Sequence, residues 1–195
     1  MKLNKLQKKI GISFKDDKLL IQALTHKSFD TKNNYEKLEF LGDRVLGFVI
    51  SKKLLELYPN EKVGMIDKKL ANLVNKNKCF EIGKELELDN YILTGNTEKK
   101  KKVNIEKKII SDCCESLIGA IYIDKGFEVS SKFILNYWKN YLNLSDITVI
   151  DSKTRLQEYS LKKFKALPIY KLISNTGPRH KPNFKISVKI KDSKT

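Results

Sequence analysis

The chain is poor in the side chains that build soft metal sites and covalent frameworks. Among its 195 residues are only three cysteines, Cys79, Cys113 and Cys114, and two histidines, His26 and His180. The cysteine number is odd, two are adjacent, and no CxxC or Cys/His spacing occurs, which excludes a zinc finger or ribbon. They read as reduced thiols of a cytosolic protein, with Cys113 and Cys114 on a buried helix. No apolar run approaches the roughly 18 residues of a membrane span. No apolar segment follows the basic start Met1-Lys2-Leu3-Asn4-Lys5, which argues against a signal peptide. Strand-like alternation is missing from the first 145 residues, which read as all-helical. Acidic charge is the last shortage: 23 Asp and Glu against 39 Lys and Arg leave a net charge of +16. So basic a chain, with no membrane-spanning run, points to nucleic acid as its polyanionic partner.

What is present divides in two. The length of 195 residues is enough for one full domain and a smaller second one, and the 41% of hydrophobic residues is enough for a core. The last 45 residues hold 12 basic and only 3 acidic side chains, more than half of the net charge. This shift suggests an acid-containing catalytic part followed by a basic binding part. Apolar periodicity predicts helices over 19–28, 36–58, 67–79, 80–86, 106–124 and 130–142, the second of them stopped by Pro59-Asn60. The lysine run at 99–102 reads as a solvated loop. Residues 146–151 read as a linker, 153–165 as an amphipathic helix, and 168–174 and 183–191 as strands joined by a turn rich in Gly and Pro.

Within the helical part, Tyr35-Glu36-Lys37-Leu38-Glu39-Phe40-Leu41-Gly42-Asp43 places three carboxylates in an otherwise apolar, helix-patterned segment. Glu39 and Asp43 are four apart and Glu36 is three before Glu39, so all three share a helix face. Like charges on one face repel unless a cation sits among them, and a hard divalent ion such as Mg²⁺ takes oxygen ligands of this kind. A second acidic pair, Asp112 and Glu115, lies in the apolar helix 106–124, where a charge is costly to bury unless paired or metal-bound. If the two helices pack antiparallel, four or five carboxylates converge. Such a cluster can hold one or two Mg²⁺ ions and support hydrolysis of a phosphodiester.

These stretches resemble the ribonuclease III family of double-stranded-RNA endonucleases. The resemblance rests on the segment from Asn34 to Asp43, on Ala23-Leu24-Thr25-His26-Lys27-Ser28 upstream and on Asp112-Cys113-Cys114-Glu115-Ser116-Leu117-Ile118-Gly119-Ala120 downstream. It extends to Lys153-Thr154-Arg155-Leu156-Gln157-Glu158 and Gly177-Pro178-Arg179-His180, which resemble a double-stranded-RNA-binding domain. The resemblance implies an all-α endonuclease domain over residues 1–145, then the linker, then a partial α+β RNA-binding domain over 152–195 (helix, strand, strand, with the third strand and second helix absent). It implies a cytoplasmic homodimer that cuts double-stranded RNA with Mg²⁺, which Mn²⁺ can replace, and uses no small-molecule cofactor. Each subunit would cut one strand, leaving short 3′ overhangs, with ribosomal and other structured precursors as substrates. Carried over by position, Glu39, Asp43, Asp112 and Glu115 are the metal-site carboxylates, Asp43 and Glu115 the catalytic pair most sensitive to loss, and Glu36 an auxiliary acid. Hydrolysis would proceed by in-line attack of water, with no covalent enzyme intermediate.

Two positions depart from the family pattern: Leu70 stands where an Arg is usual, and Val63 stands before Gly64 where a Glu is usual, with Glu61 or Asp67 as the candidate replacement and Glu61 not expected to reach the same place. This predicts a weakened or rearranged second metal contact. In the C-terminal part, Gln157 and Glu158 would touch 2′-hydroxyls in one minor groove, and Arg179, His180 and Lys181 would enter the next. With part of its core missing, this module is expected to be poorly stable and to bind RNA weakly. His26 reads as structural, bonding backbone near a helix end, and Phe133, Tyr137 and Trp138 as packing residues. Phe40 and Leu41 read as core or dimer-interface residues. The competing reading is a double-stranded-RNA-binding dimer that does not cleave. A purely structural dimer leaves the acids in apolar helices unexplained.

Overall fold

Helices account for nearly all regular structure up to residue 144 in the computed structural model, which describes residues 2–95, 105–144, 152–178 and 183–190. They are α1 (Lys2–Ile10), α2 (Asp17–Ala23), α3 (Glu36–Leu57), α4 (Val63–Leu73), α5 (Lys76–Glu85), a 3₁₀ turn (Leu88–Asn90) and α6 (Lys107–Leu144). Among the described residues the second unit holds α7 (Ser152–Phe164) and the strands β1 (Ile169–Thr176) and β2 (Asn183–Lys189). The chain separates into two compact units, Met1–Ile147 and Thr148–Thr195.

Several helix boundaries differ from the periodicity, α2 beginning at Asp17 and α4 at Val63 among them. The helix expected over 19–28 ends at Ala23, because Thr25 forms an isolated bridge to Leu93 and the His26 N–H donates to the Leu93 carbonyl at 2.9 Å. The helix expected over 67–79 is two helices, α4 and α5, broken at Val74-Asn75. Asn75 serves both. Its Nδ2 donates to the carbonyls of Ala71 and Asn72 at 3.2 and 2.9 Å, and its Oδ1 accepts from the N–H groups of Asn77 and Lys78 at 3.0 and 3.1 Å. The short helix expected over 80–86 is therefore the later part of α5. The two helices expected over 106–124 and 130–142 are joined within α6, which departs from helical geometry at Gly126 (φ +80°, ψ −177°).

The core is built where α3, α5 and α6 meet. Leu46, Ile50 and Leu54 of α3, Ile82 of α5 and Leu117 and Ile118 of α6 are fully buried. Trp138 is also fully buried, its indole N–H donating 2.8 Å to the Leu73 carbonyl, so it is a packing residue as expected. All three cysteines are free and buried.

Two glycines set how closely α3 and α6 approach. A Cβ on Gly42 would overlap the Glu115 carbonyl and lie 2.8 Å from the Gly119 nitrogen. A Cβ on Gly119 would overlap the Leu38 carbonyl and lie 3.2 Å from the Gly42 nitrogen. Gly42 faces Glu115 while Gly119 faces Leu38, so the two helices run antiparallel at this point, with their backbones in contact. One turn of helix thus places the acidic face of α3 beside the acidic pair of α6.

In the second unit, β1 and β2 pair antiparallel from Ile169 opposite Lys189 to Thr176 opposite Asn183, with an irregularity between Leu172 and Ser174. Leu172, Ile173, Phe184, Ile186 and Val188 are exposed. The turn residues Arg179, His180 and Lys181 lie outside the described residues, as does the lysine run at 99–102.

Candidate active site

The first turns of α3 and the N-terminal half of α6 supply carboxylates to one cavity. Oxygen atoms of Glu39, Asp112 and Glu115 all lie within 4.8 Å of one another. Asp112 and Glu115 are buried, whereas Glu39 is partly exposed and forms the open side. The cavity, of about 400 Å³, is lined by Glu36, Glu39, Phe40, Asp43, Arg44, Lys76 and Glu115.

Asp43 and Glu36 line the same cavity but point elsewhere. The Asp43 carboxylate pairs with the neighbouring Arg44 guanidinium, which also lies 4.8 Å over the Phe40 ring. Glu36 pairs with Lys27 at 3.1 Å. Of the four carboxylates expected at a metal, the structure gathers three and holds the fourth, Asp43, at the cavity wall. Val63 opens α4 with 80% of its surface exposed, and neither it nor Glu61 nor Asp67 lines the cavity.

Lysine occupies the centre of the cluster. Lys76 Nζ donates to Asp112 and Glu115 at 2.7 Å each and to Glu39 at 3.0 Å. Lys108 Nζ holds the other Asp112 oxygen at 2.6 Å. Burial works against the charge of the Lys76 ammonium, but its hydrogen bonds to Asp112, Glu115 and Glu39 outweigh it and raise its pKa. Burial alone would raise Asp112, yet hydrogen bonds from Lys108 and Lys76 hold it below the usual carboxylate range. At Glu115 burial wins: its carboxyl stays raised although Lys76 opposes the shift. Three carboxylates against two ammonium groups leave one negative charge uncompensated. The donor set is all oxygen, concentrated and under-neutralised, which suits a hard divalent cation.

Sequence reading missed Lys76. The chain is rich in lysine, and nothing in periodicity distinguishes this one. The usable signal was Asn75, a good N-cap residue that makes Lys76 the first residue of a helix aimed at the acids.

His26 is structural, as expected. Its Nδ1 accepts from the Ser28 N–H at 3.2 Å and lies 2.8 Å from the Ser28 hydroxyl, which in turn accepts from the Gly95 N–H at 3.0 Å. Phe40 is exposed, at 65% of its surface, and Leu41 packs partly against the core. In the second unit Gln157 is half-buried and Glu158 is exposed.

A ribonuclease-III-like family model matches residues 16–142. The chain belongs to the ribonuclease III family. A double-stranded RNA binding motif matches residues 152–195. The chain is 63% identical to the Ribonuclease 3 of Pelagibacter ubique over 196 aligned positions, which cover 100% of this chain and 88% of that protein. It is 40% identical to the Ribonuclease 3 of Agrobacterium fabrum, covering 96% and 80% respectively. The ribonuclease III nuclease domain of Campylobacter jejuni, in a structure concerned with flexibility in the region involved in dimer formation, superposes with a TM-score of 0.65 at 36% identity. That match covers 71% of this chain and 97% of the other. The Dicer of Pichia stipitis, at 18% identity and a TM-score of 0.57, shares the fold. This family member is accordingly a helical nuclease unit followed by the helix and hairpin of a double-stranded RNA binding motif, and it is an endoribonuclease. Among the described residues no helix is long and apolar enough to cross a membrane.

Proposed function

We propose that the chain is a Mg²⁺-dependent endonuclease that hydrolyses phosphodiesters in double-stranded RNA, at the cavity between α3 and α6. The observation that carries this reading is the convergence of Glu39, Asp112 and Glu115 within 4.8 Å, the last two buried in the apolar helix α6 of a strongly basic protein. Glu39, Asp112 and Glu115 would hold the divalent ion, with Asp43 turning from Arg44 to complete the set. Bound there, the ion supplies activation of water and stabilisation of the leaving 3′ oxygen. Mn²⁺, with the same preference for oxygen ligands, would substitute.

The protein's own contribution is positional. The glycine contact between α3 and α6 fixes the spacing of the carboxylates, and Asp43 and Glu115 are the residues whose loss should be most damaging. Arg44, which lines the cavity, would neutralise the incoming phosphodiester, joined by Lys76 once an ion takes its place among the acids. Glu36, paired to Lys27, would assist substrate alignment rather than hold the ion. Gln157 and Glu158 on α7, with Arg179, His180 and Lys181 in the turn, would grip the duplex through 2′-hydroxyls and phosphates. We assign residues 1–145 to catalysis, 146–151 to the linker and 152–195 to RNA binding. A homodimer would carry two such cavities, each cutting one strand to leave short 3′ overhangs. Structured precursors, ribosomal ones among them, are the substrate class, and the cytoplasm is the compartment.

The test is cleavage of a long RNA duplex with Mg²⁺, with Asp43→Asn and Glu115→Gln as controls. Cleavage by the parent and a loss of at least about 100-fold in each variant are expected, since even outer-shell substitutions at metal sites cost 10–100-fold. Duplex binding without cleavage by the parent would favour a non-cleaving RNA-binding dimer.

A further inference from the structure

We infer that Lys76 is a tethered counter-ion that competes with the divalent cation for the centre of the acidic cluster and must swing out when the cation binds. The inference rests on the reading of this cavity as a divalent-ion site. Its basis is geometric. The Lys76 ammonium reaches one oxygen from each of Glu39, Asp112 and Glu115 at 2.7–3.0 Å, the same three residues whose oxygens converge. A Mg²⁺ ion ligated by these oxygens at about 2.0–2.1 Å would occupy the space the ammonium fills. Two cations cannot share it.

The local structure allows the exchange. The backbone at Lys76 is pinned, because Asn75 caps α5 from the preceding position and closes α4 with its other side-chain atom. The side chain is not pinned in the same way. It is 52% exposed, while the Asp112 and Glu115 side chains it neutralises are 1% and 2% exposed. The ammonium therefore enters from the open side of the cavity and can leave by the same route on its flexible four-carbon stem. Lys108 instead bonds the other Asp112 oxygen at 2.6 Å, not the one that Lys76 holds.

The arrangement solves one problem and creates another. Buried carboxylates with no cation would repel one another and oppose packing of α3 against α6. Lys76 removes that cost in the absence of an ion, and by the same interaction it weakens ion binding. Divalent-ion affinity is then set by a competition rather than by the carboxylates alone.

The experiment is calorimetric titration of the full chain with Mn²⁺ and with Mg²⁺, together with thermal unfolding in chelator and in excess ion. The parent, Lys76→Met and Lys76→Gln are compared. Lys78→Met serves as a control that removes the same charge two residues away, where Lys78 pairs with Glu81 at 2.8 Å. Both Lys76 variants should bind the ions more tightly by about tenfold or more, the scale of one charge-assisted hydrogen bond. They should melt earlier than the parent in chelator and gain more on adding ion. Lys78→Met should match the parent. If Lys76→Met does not fold in chelator, Lys76→Gln, which keeps a donor among the acids, carries the comparison. Equal or weaker ion binding by the Lys76 variants, or an equal gain in Lys78→Met, would overturn the inference while leaving the ion site in place. Absence of ion binding by every protein, the parent included, would overturn the site and the inference together.

Discussion

The two units use charge in opposite ways. In the nuclease unit, Asp112 and Glu115 are buried in a helix whose backbone touches its neighbour at Gly42 and Gly119. In the C-terminal unit, charge lies on the surface of α7 and of a two-stranded hairpin whose apolar residues, among them Leu172, Ile186 and Val188, are exposed. The difference follows from the chemistry each performs. Catalysis needs carboxylates at fixed mutual distances, and only a packed core holds them there. Gripping a duplex by its phosphates needs net positive charge at the surface and tolerates looser positions. Errors of packing should therefore ruin the first unit and spare the second, while loss of single surface charges should do the reverse.

The sharpest way to break this contrast is at the glycine contact. Gly42→Ala puts a methyl group into the Glu115 carbonyl, which no rotamer change can relieve. A loss of roughly 3 kcal/mol, the upper end of the usual overpacking range, is expected in urea unfolding. Cleavage should fall with it, because Glu39 and Asp43 move away from Asp112 and Glu115. Gly47→Ala, in the same helix but with nothing within 4 Å of the new Cβ, should instead gain about 0.5–1 kcal/mol. Equal behaviour of the two variants would deny the contact its role.

Truncation of one apolar side chain in each unit comes next. Leu46→Ala, at a site with no exposure, should cost about 2–5 kcal/mol. Ile186→Ala, at a strand site 53% exposed, should change stability by less than about 0.5 kcal/mol. A large loss at Ile186 in chemical unfolding would show that the hairpin is covered in solution.

Smaller again is the effect of one surface charge. Arg155→Gln on exposed α7 should weaken duplex binding at every sequence and lower the salt dependence of the affinity by about one unit of slope. The cleavage rate at saturating RNA should stay unchanged.

The smallest effect is at His26, within the nuclease unit. Its Nδ1 accepts the Ser28 N–H, so the neutral ring carries its proton on Nε2. Burial, reinforced by the charges of Lys27 and Lys108, lowers its pKa below the ordinary 6.5. Protonation thus favours the unfolded chain. The contribution of His26 to stability is present above pH 6.5 and is lost as pH falls from there through its folded value. His26→Gln should flatten that part of the stability profile measured by thermal unfolding between pH 7 and the carboxylate range.

Much of the nuclease unit was legible from spacing. Glu36, Glu39 and Asp43 share a face because three- and four-residue steps return to one side of a helix, and Asp112 and Glu115 stand out as charges in an apolar segment. The antiparallel packing of their helices was a condition in the sequence reading, and the structure meets it through Gly42 and Gly119. What periodicity could not show was a side-chain event. Asn75 interrupts a continuous apolar pattern by capping two helices at once, which splits the segment read as one helix and aims Lys76 at the acids. The turn of Asp43 toward Arg44 was equally hidden, because adjacent residues of opposite charge are common and the pattern does not say which partner a carboxylate chooses. In the second unit the alternation in 168–174 and 183–191 located both strands, with β1 running two residues further and β2 stopping at Lys189.

Crystals soaked in Mn²⁺ and measured for anomalous scattering test the central claim most directly. The account predicts a peak between Glu39, Asp112 and Glu115, with Asp43 turned toward it and the Lys76 ammonium displaced from the three carboxylates. A protein that binds Mn²⁺ only elsewhere, or that keeps Lys76 seated among the acids at saturating Mn²⁺, would contradict it.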